Sequence, residues 1–251
     1  MNQVLLAPAK LTLSLAVTGV RDDGFHLIDA EMVSLDLYDV LEVTDVLEVA
    51  DGELAVEVVR DGASRPAPPD DLVRRALDAA GRRASVRLHK RIPAGAGLGG
   101  GSSDAAAILR WAGVRDVDLA VQLGADVGFC LRGGRARVRG IGELIEPLEH
   151  VERTFTLFTP PLHCSTPVVY RRWDELGAPR GDHGNDLEPA ALSAYPELEA
   201  HRQRFAERTG ERPRLAGSGS TWFVEGAHEG PGHVIVHTVA GEEMGIPSTE
   251  V

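Results

Sequence analysis

From Lys10 onward the chain alternates strictly. Lys10, Thr12 and Ser14 fall on one face, and Leu11, Leu13, Leu15 and Val17 on the other. Period two over this length predicts a strand across 4–17 with one buried face. By spacing alone, the polar face reads as solvated. Arg21-Asp22-Asp23-Gly24 reads as a turn, and Phe25-His26 opens the next ordered stretch. Segments 31–37, 40–49 and 53–59, rich in Val and Leu, predict further strands. The run 66–69, with three prolines, breaks the pattern. Leu72, Val73, Ala76, Leu77 and Ala80 then recur at helical spacing, predicting a helix over 71–81 that ends at Gly81.

A strand over 85–90, a glycine-rich segment and a helix over 103–111 follow, then a helix over 117–123 that stops at Gly124. Strands are expected at 135–139 and 154–158, and helices at 166–176 and 196–209. A polar loop, 180–186, separates those two helices. The glycine-rich turn 217–220 leads into a strand over 221–224, and the last strand spans 234–239. Helices and strands mix without βαβ alternation, which predicts an α+β fold. No internal repeat interrupts the 251 residues.

The net charge of −12 argues against nucleic acid or an anionic membrane as partner, since both select clustered Lys and Arg. Two cysteines, Cys130 and Cys164, no secretory pattern and apolar runs too short to span a bilayer predict a protein of the reducing cytoplasm. The nine histidines show no metal-ligand spacing, so no dedicated metal cage is expected. Mg²⁺ arriving with a nucleotide would leave no such mark.

The segment Pro93-Ala94-Gly95-Ala96-Gly97-Leu98-Gly99-Gly100-Gly101-Ser102-Ser103 carries the most chemistry. Five glycines in seven residues cost backbone entropy that packing does not explain. They allow successive N–H groups to close on an anion, and Ser102 or Ser103 is placed to cap the next helix, whose N-terminus favours phosphate. A Walker loop needs a lysine after its last glycine, and none is present. Gly95, Gly97 and Gly100 match the dinucleotide spacing, but Asp116 and Asp118 open a helix where that fold needs an acidic strand end. A protein-kinase loop joins two strands, not a strand and a helix.

The whole run 93–103 resembles the phosphate loop of the GHMP kinases. Its triple glycine is similar to the branch acting on a cytidine diphosphate-linked methylerythritol. Other stretches resemble that branch in order: Ala7-Pro8-Ala9-Lys10-Leu11, Asp23-Gly24-Phe25-His26, the segment 123–129, Gly140-Ile141-Gly142-Glu143, Asn185-Asp186-Leu187-Glu188 and Ala216-Gly217-Ser218-Gly219-Ser220. The resemblance implies a two-domain fold, residues 1–145 and 146–251, with ATP and substrate in the cleft between. It implies phosphate transfer from ATP, with Mg²⁺, to the 2-hydroxyl of that substrate.

By the same resemblance, Asp126 accepts the hydroxyl proton and Lys10 orients the hydroxyl and stabilises developing charge. Residues 93–103 hold the nucleotide, with Ser103 a candidate Mg²⁺ ligand. Thr12, Phe25, His26 and Tyr170 face the substrate, His26 at the cytosine and Phe25 stacked on it opposite Tyr170. Gly217 to Ser220 form a second backbone wall, and Asn185-Asp186 organise the fold. Thr12 stands where the family has Asn, Phe25 where it has Tyr, and Asp71 where it has Asn; the chain is also short. The alternatives are another GHMP-type kinase, acting on a mevalonate-like acid, a sugar or homoserine, and a weakened nucleotide-binding homologue. A monomer or a homodimer fits either.

Overall fold

The computed structural model of the chain describes residues 2–45 and 55–241. The predicted strands at 40–49 and 53–59 therefore lie partly outside the described residues. In chain order the elements are β1 (Asn2–Val20), β2 (His26–Asp45), β3 (Val56–Arg60), β4 (Ala63–Pro66), α1 (Leu72–Ala79), β5 (Ala84–His89), α2 (Gly100–Trp111), α3 (Val117–Leu123) and α4 (Val127–Arg132). There follow β6 (Arg135–Gly140), β7 (Leu144–Pro147), β8 (Thr154–Phe158), α5 (Thr166–Glu175), α6 (Glu188–Ala194), α7 (Glu197–Thr209), β9 (Arg214–Leu215), β10 (Trp222–Glu225) and β11 (His233–Val239).

β1 and β2 form a long antiparallel hairpin, closed where Arg21 N donates to Phe25 O and Gly24 takes a positive φ. β2 also pairs with β5, β6 and β11, and β11 carries the ladder on to β8, β10 and β9. The sheet is thus continuous from one half of the chain to the other. Position 145/146, the expected boundary, lies within β7, which pairs with β6.

The single buried face expected for β1 is corrected. Register shifts at Pro8/Lys10, Thr12/Ser14 and Val17/Gly19 turn the strand. Leu5, Ala7, Leu15 and Val17 pack into the larger core beneath the helices, whereas Ala9, Leu11 and Leu13 join a second core with Phe155, Leu157 and Phe223. A bulge adds a residue and re-aims the side chains beyond it. Here it sinks Lys10 and Thr12 between the two cores, at 5% and 3% exposure, so these two are not solvated, whereas Ser14 is exposed as expected.

α2 begins at Gly100, with Gly99 as its N-cap, which corrects the expected start at Ser103. Neither serine caps it. The Ser103 hydroxyl is buried and donates to Pro8 O at 2.7 Å, tying the helix to β1. Small residues Ala105, Ala106 and Ala107 let α2 sit close against its neighbours. α4, α6 and β7 had no clear periodic signal, being only four to seven residues long.

Below the glycine segment, two acidic side chains and one lysine meet in the interior. Lys90 Nζ pairs with Asp39 Oδ2 and, at 2.6 Å, with Asp104 Oδ2. Asp39 Oδ1 accepts from the backbone N–H groups of Arg91 and Ile92. Burial pushes Asp104 up to about 7; the Lys90 ammonium pulls it down, and Asp39 reinforces the rise. For Lys90, burial lowers the pKa, but the two carboxylates outweigh it and hold the group above its ordinary value.

Asn185 organises the far wall: its Nδ2 donates to Leu215 O and Gly217 O, and its Oδ1 accepts from Leu187 N. Asp186 Oδ2 accepts from Val17 N, at the third register shift of β1.

Two outcomes follow from these buried groups. Asn185→Ala leaves two carbonyls and one N–H unpartnered, and is expected to cost about 2 kcal/mol in denaturant unfolding. Asp104 binds its proton more tightly folded than unfolded, so its contribution to stability falls as pH rises from about 4 to about 7. Tm measured across that range is expected to decline less in Asp104→Asn than in wild type.

Candidate active site

One cleft of about 940 Å³ brings together residues scattered over the sequence. Its walls include Lys10, Thr12, Phe25, His26, Tyr170, Asp126 and every residue from Pro93 to Ser102. Ser103 does not line it, and its hydroxyl is committed to Pro8 O. Its side chain faces β1 rather than the cleft in this structure.

At the centre, Lys10 Nζ donates to Thr12 Oγ1 at 3.1 Å and lies 3.3 Å from Asp126 Oδ2. The Lys10 side chain is 6% exposed and that of Asp126 32%, so the carboxylate meets the cleft and the ammonium backs it. Asp126 occupies the N-terminal position of α4 but makes no capping hydrogen bond. The side chain is left to face Lys10. The hydroxyl of Thr12 suffices to reach Lys10, despite being shorter than an amide.

The glycine segment is held by the alternate residues. Ala96 and Leu98 are buried in the second core, while the backbone between them approaches other chain segments. Lys10 N donates to Leu98 O, and Thr221 N to Ala96 O. At Gly97, φ +76°, a Cβ would stand 2.1 Å from Ala216 O; at Gly99, φ +67°, 2.6 Å from Cγ of Lys10. These glycines are thus required by packing as well, which corrects the reading that packing does not explain them. The close fit presses the loop onto Lys10 and onto the turn 216–219. Gly101 stays exposed at the first turn of α2, where free N–H groups and the helix dipole favour an anion.

The second wall comes from the turn after β9, where Gly217 and Ser218 line the cleft. Ser218 Oγ shares a hydrogen bond of 2.8 Å with Thr166 Oγ1, at the start of α5. At the opposite end, the His26 ring packs on Tyr170, with centroids 4.6 Å apart, and edge-on to Trp173. Its Nε2 lies 2.8 Å from Asp174 Oδ1. Phe25 is 58% exposed at the mouth. Burial, reinforced by the charge of Asp126, pushes the Tyr170 phenol above its ordinary range, so it stays neutral.

Four site-shaping residues went unassigned by sequence reasoning, each with a readable trace. Asp39 occupies the inward alternation of Leu35, Leu41 and Val43, a charge at a core position. Lys90 directly follows β5, and Asp104 falls on the buried Ala and Ile face of α2. Asp174 is four residues beyond Tyr170 on a helix, hence on the same side. Among the described residues no cluster of three His, Cys, Asp or Glu could hold a metal.

Comparison with known proteins agrees with this geometry. The family model for the GHMP kinases N terminal domain matches residues 71–134. A 4-diphosphocytidyl-2-C-methyl-D-erythritol kinase of Paracoccus denitrificans is 37% identical over 239 residues, covering 86% of this chain and 84% of that protein. One of Xanthomonas oryzae pv. oryzae is 40% identical over 247 residues, covering 87% and 80%. A solved 4-(cytidine 5'-diphospho)-2C-methyl-D-erythritol kinase superposes with a TM-score of 0.72 at 33% identity, covering 95% of this chain and 99% of that one. A homoserine kinase from Cytophaga hutchinsonii, 16% identical with a TM-score of 0.60 and 95% coverage of each chain, shares the fold. With its glycine loop, Lys10 and Asp126 facing one cleft, the chain belongs to the GHMP kinase family, among the 4-diphosphocytidyl-2-C-methyl-D-erythritol kinases.

Proposed function

We propose that the protein transfers the γ-phosphoryl group of ATP to the 2-hydroxyl of 4-diphosphocytidyl-2-C-methyl-D-erythritol, a step in isoprenoid precursor synthesis. The observation that carries this reading is the Lys10–Asp126 pair, set against the glycine loop in a single cleft. The nucleotide phosphates lie along 95–102, on backbone N–H groups and the start of α2. The cytidyl end lies toward Phe25, His26 and Tyr170, with the methylerythritol between, near Thr12.

In the reaction the hydroxyl oxygen forms a bond to the γ-phosphorus while the bond from that phosphorus to the bridging oxygen of ADP breaks. The hydroxyl proton passes to Asp126, and the Lys10 ammonium holds the oxygen and offsets negative charge. Such a transition state is loose, so positioning supplies most of the rate. Mg²⁺, when bound with the nucleotide, neutralises phosphate charge. The two-domain division with the cleft between the halves is part of the same reading. So is a cytoplasmic location, supported by the free, buried thiols of Cys130 and Cys164.

Release of ADP from Mg²⁺-ATP is the test, with the cytidyl substrate, mevalonate and homoserine offered separately. Turnover is expected with the first alone. Asp126→Ala is expected to lower kcat by about 10²- to 10⁴-fold, while calorimetry finds ADP bound as in wild type. A protein that binds ADP but turns over mevalonate or homoserine instead would overturn the substrate.

A further inference from the structure

The buried cluster of Lys90, Asp39 and Asp104 takes no part in the chemistry above, yet it touches both ends of the nucleotide loop. Asp39 reaches the loop's entry: its Oδ1 accepts from Arg91 N and, at 2.8 Å, from Ile92 N, immediately before Pro93. Asp104 lies at the loop's exit, in the first turns of α2. Lys90 joins the two carboxylates from the end of β5. A Cβ at Gly100 would stand 3.1 Å from Lys90 Nζ, so the ammonium lies directly under the turn where the loop becomes helix. Ile92 itself is in the second core beside Ala96 and Leu98.

The cluster is costly as mere stability. Asp39 and Asp104 are 0% and 2% exposed, and two carboxylates share one ammonium. Asp104 Oδ1 is buried with no hydrogen-bond partner. Apolar residues of the same volume would often hold a fold as well, without desolvating charge. What they would not do is fix direction. A charged hydrogen bond sets the place of the backbone it holds to a few tenths of an ångström, and loop N–H groups must keep such tolerance to bind phosphate.

We propose that Asp39, Lys90 and Asp104 are positioning residues for the nucleotide loop, clamping its entry and exit so that its N–H groups stay aimed at the ATP phosphates. The proposal rests on the reading that residues 95–102 hold those phosphates. The clamp acts on the nucleotide and leaves the alcohol substrate, bound at the other end of the cleft, little affected.

The experiment compares wild type, Lys90→Met, Asp104→Asn, Asp39→Asn and Asp39→Ala for ADP binding by calorimetry and for KM of each substrate. Circular dichroism and Tm establish which variants fold. Loss of hydrogen bonds to a charged group predicts a rise of about tenfold or more in Kd for ADP and KM for ATP in Lys90→Met. KM for the alcohol is expected to stay within about twofold of wild type, and Asp104→Asn to follow the same split more weakly. Asp39→Asn keeps an acceptor for Arg91 and Ile92 and is expected to recover most of what Asp39→Ala loses. Should Lys90→Met not fold, the Asp104→Asn split and the two Asp39 variants decide. Folded variants that bind ADP as wild type does, or that lose both substrates equally, would overturn the clamp. Wild type that binds no ADP would overturn the loop reading instead.

Discussion

The ammonium of Lys10 is the charge around which the cleft is built. It is buried on a strand between two apolar cores, where an unpaired charge would be untenable. Asp126 and Thr12 supply its partners, and each requirement constrains another element. The register shifts of β1 must turn Lys10 inward; α4 must begin at Asp126; and the glycine loop must pass close enough to close over the lysine stem. A charge held this way is preorganised: it requires no reorientation when negative charge develops beside it.

That constraint explains the glycines better than flexibility does. At Gly99 the neighbour that leaves no room is Lys10 itself, and at Gly97 it is the backbone of the opposite turn. Ala96 and Leu98 fill the core between them. The loop is thus a packed layer bordering the cleft, anchored by apolar side chains on one side and by the Asp39–Lys90–Asp104 cluster at its ends. Asn185 plays the corresponding part for the turn at 216–219, through two carbonyls. Both turns are held by buried polar groups, of which Lys90 and Asp104 also border the cleft.

Much of this was legible in the chain. The helices at 72–79 and 117–123 carry caps at Asp71 and Asp116, and their periodicity marks them well. The motifs resembling the GHMP kinases place Lys10, Asp126 and the loop in one site, which spacing alone does not. What was hidden has physical reasons. The alternation of β1 looked like one buried face because a bulge leaves no mark on the hydrophobic pattern; only the pairing partner reveals it. Ser103 looked like a cap because a serine opening a helix usually is one, but glycines helical in their own right moved the start three residues back. Asp39, Lys90 and Asp104 are far apart in sequence, and only the fold brings the lysine between the two carboxylates.

The most direct check on the account is a crystal structure with Mg²⁺ and a non-hydrolysable ATP analogue. The account predicts β- and γ-phosphates on backbone N–H groups between Gly95 and Ser102, the γ-phosphate within reach of Lys10, and Ser103 still bonded to Pro8. Phosphates seated away from that loop, or a γ-phosphate remote from Lys10 and Asp126, would contradict it.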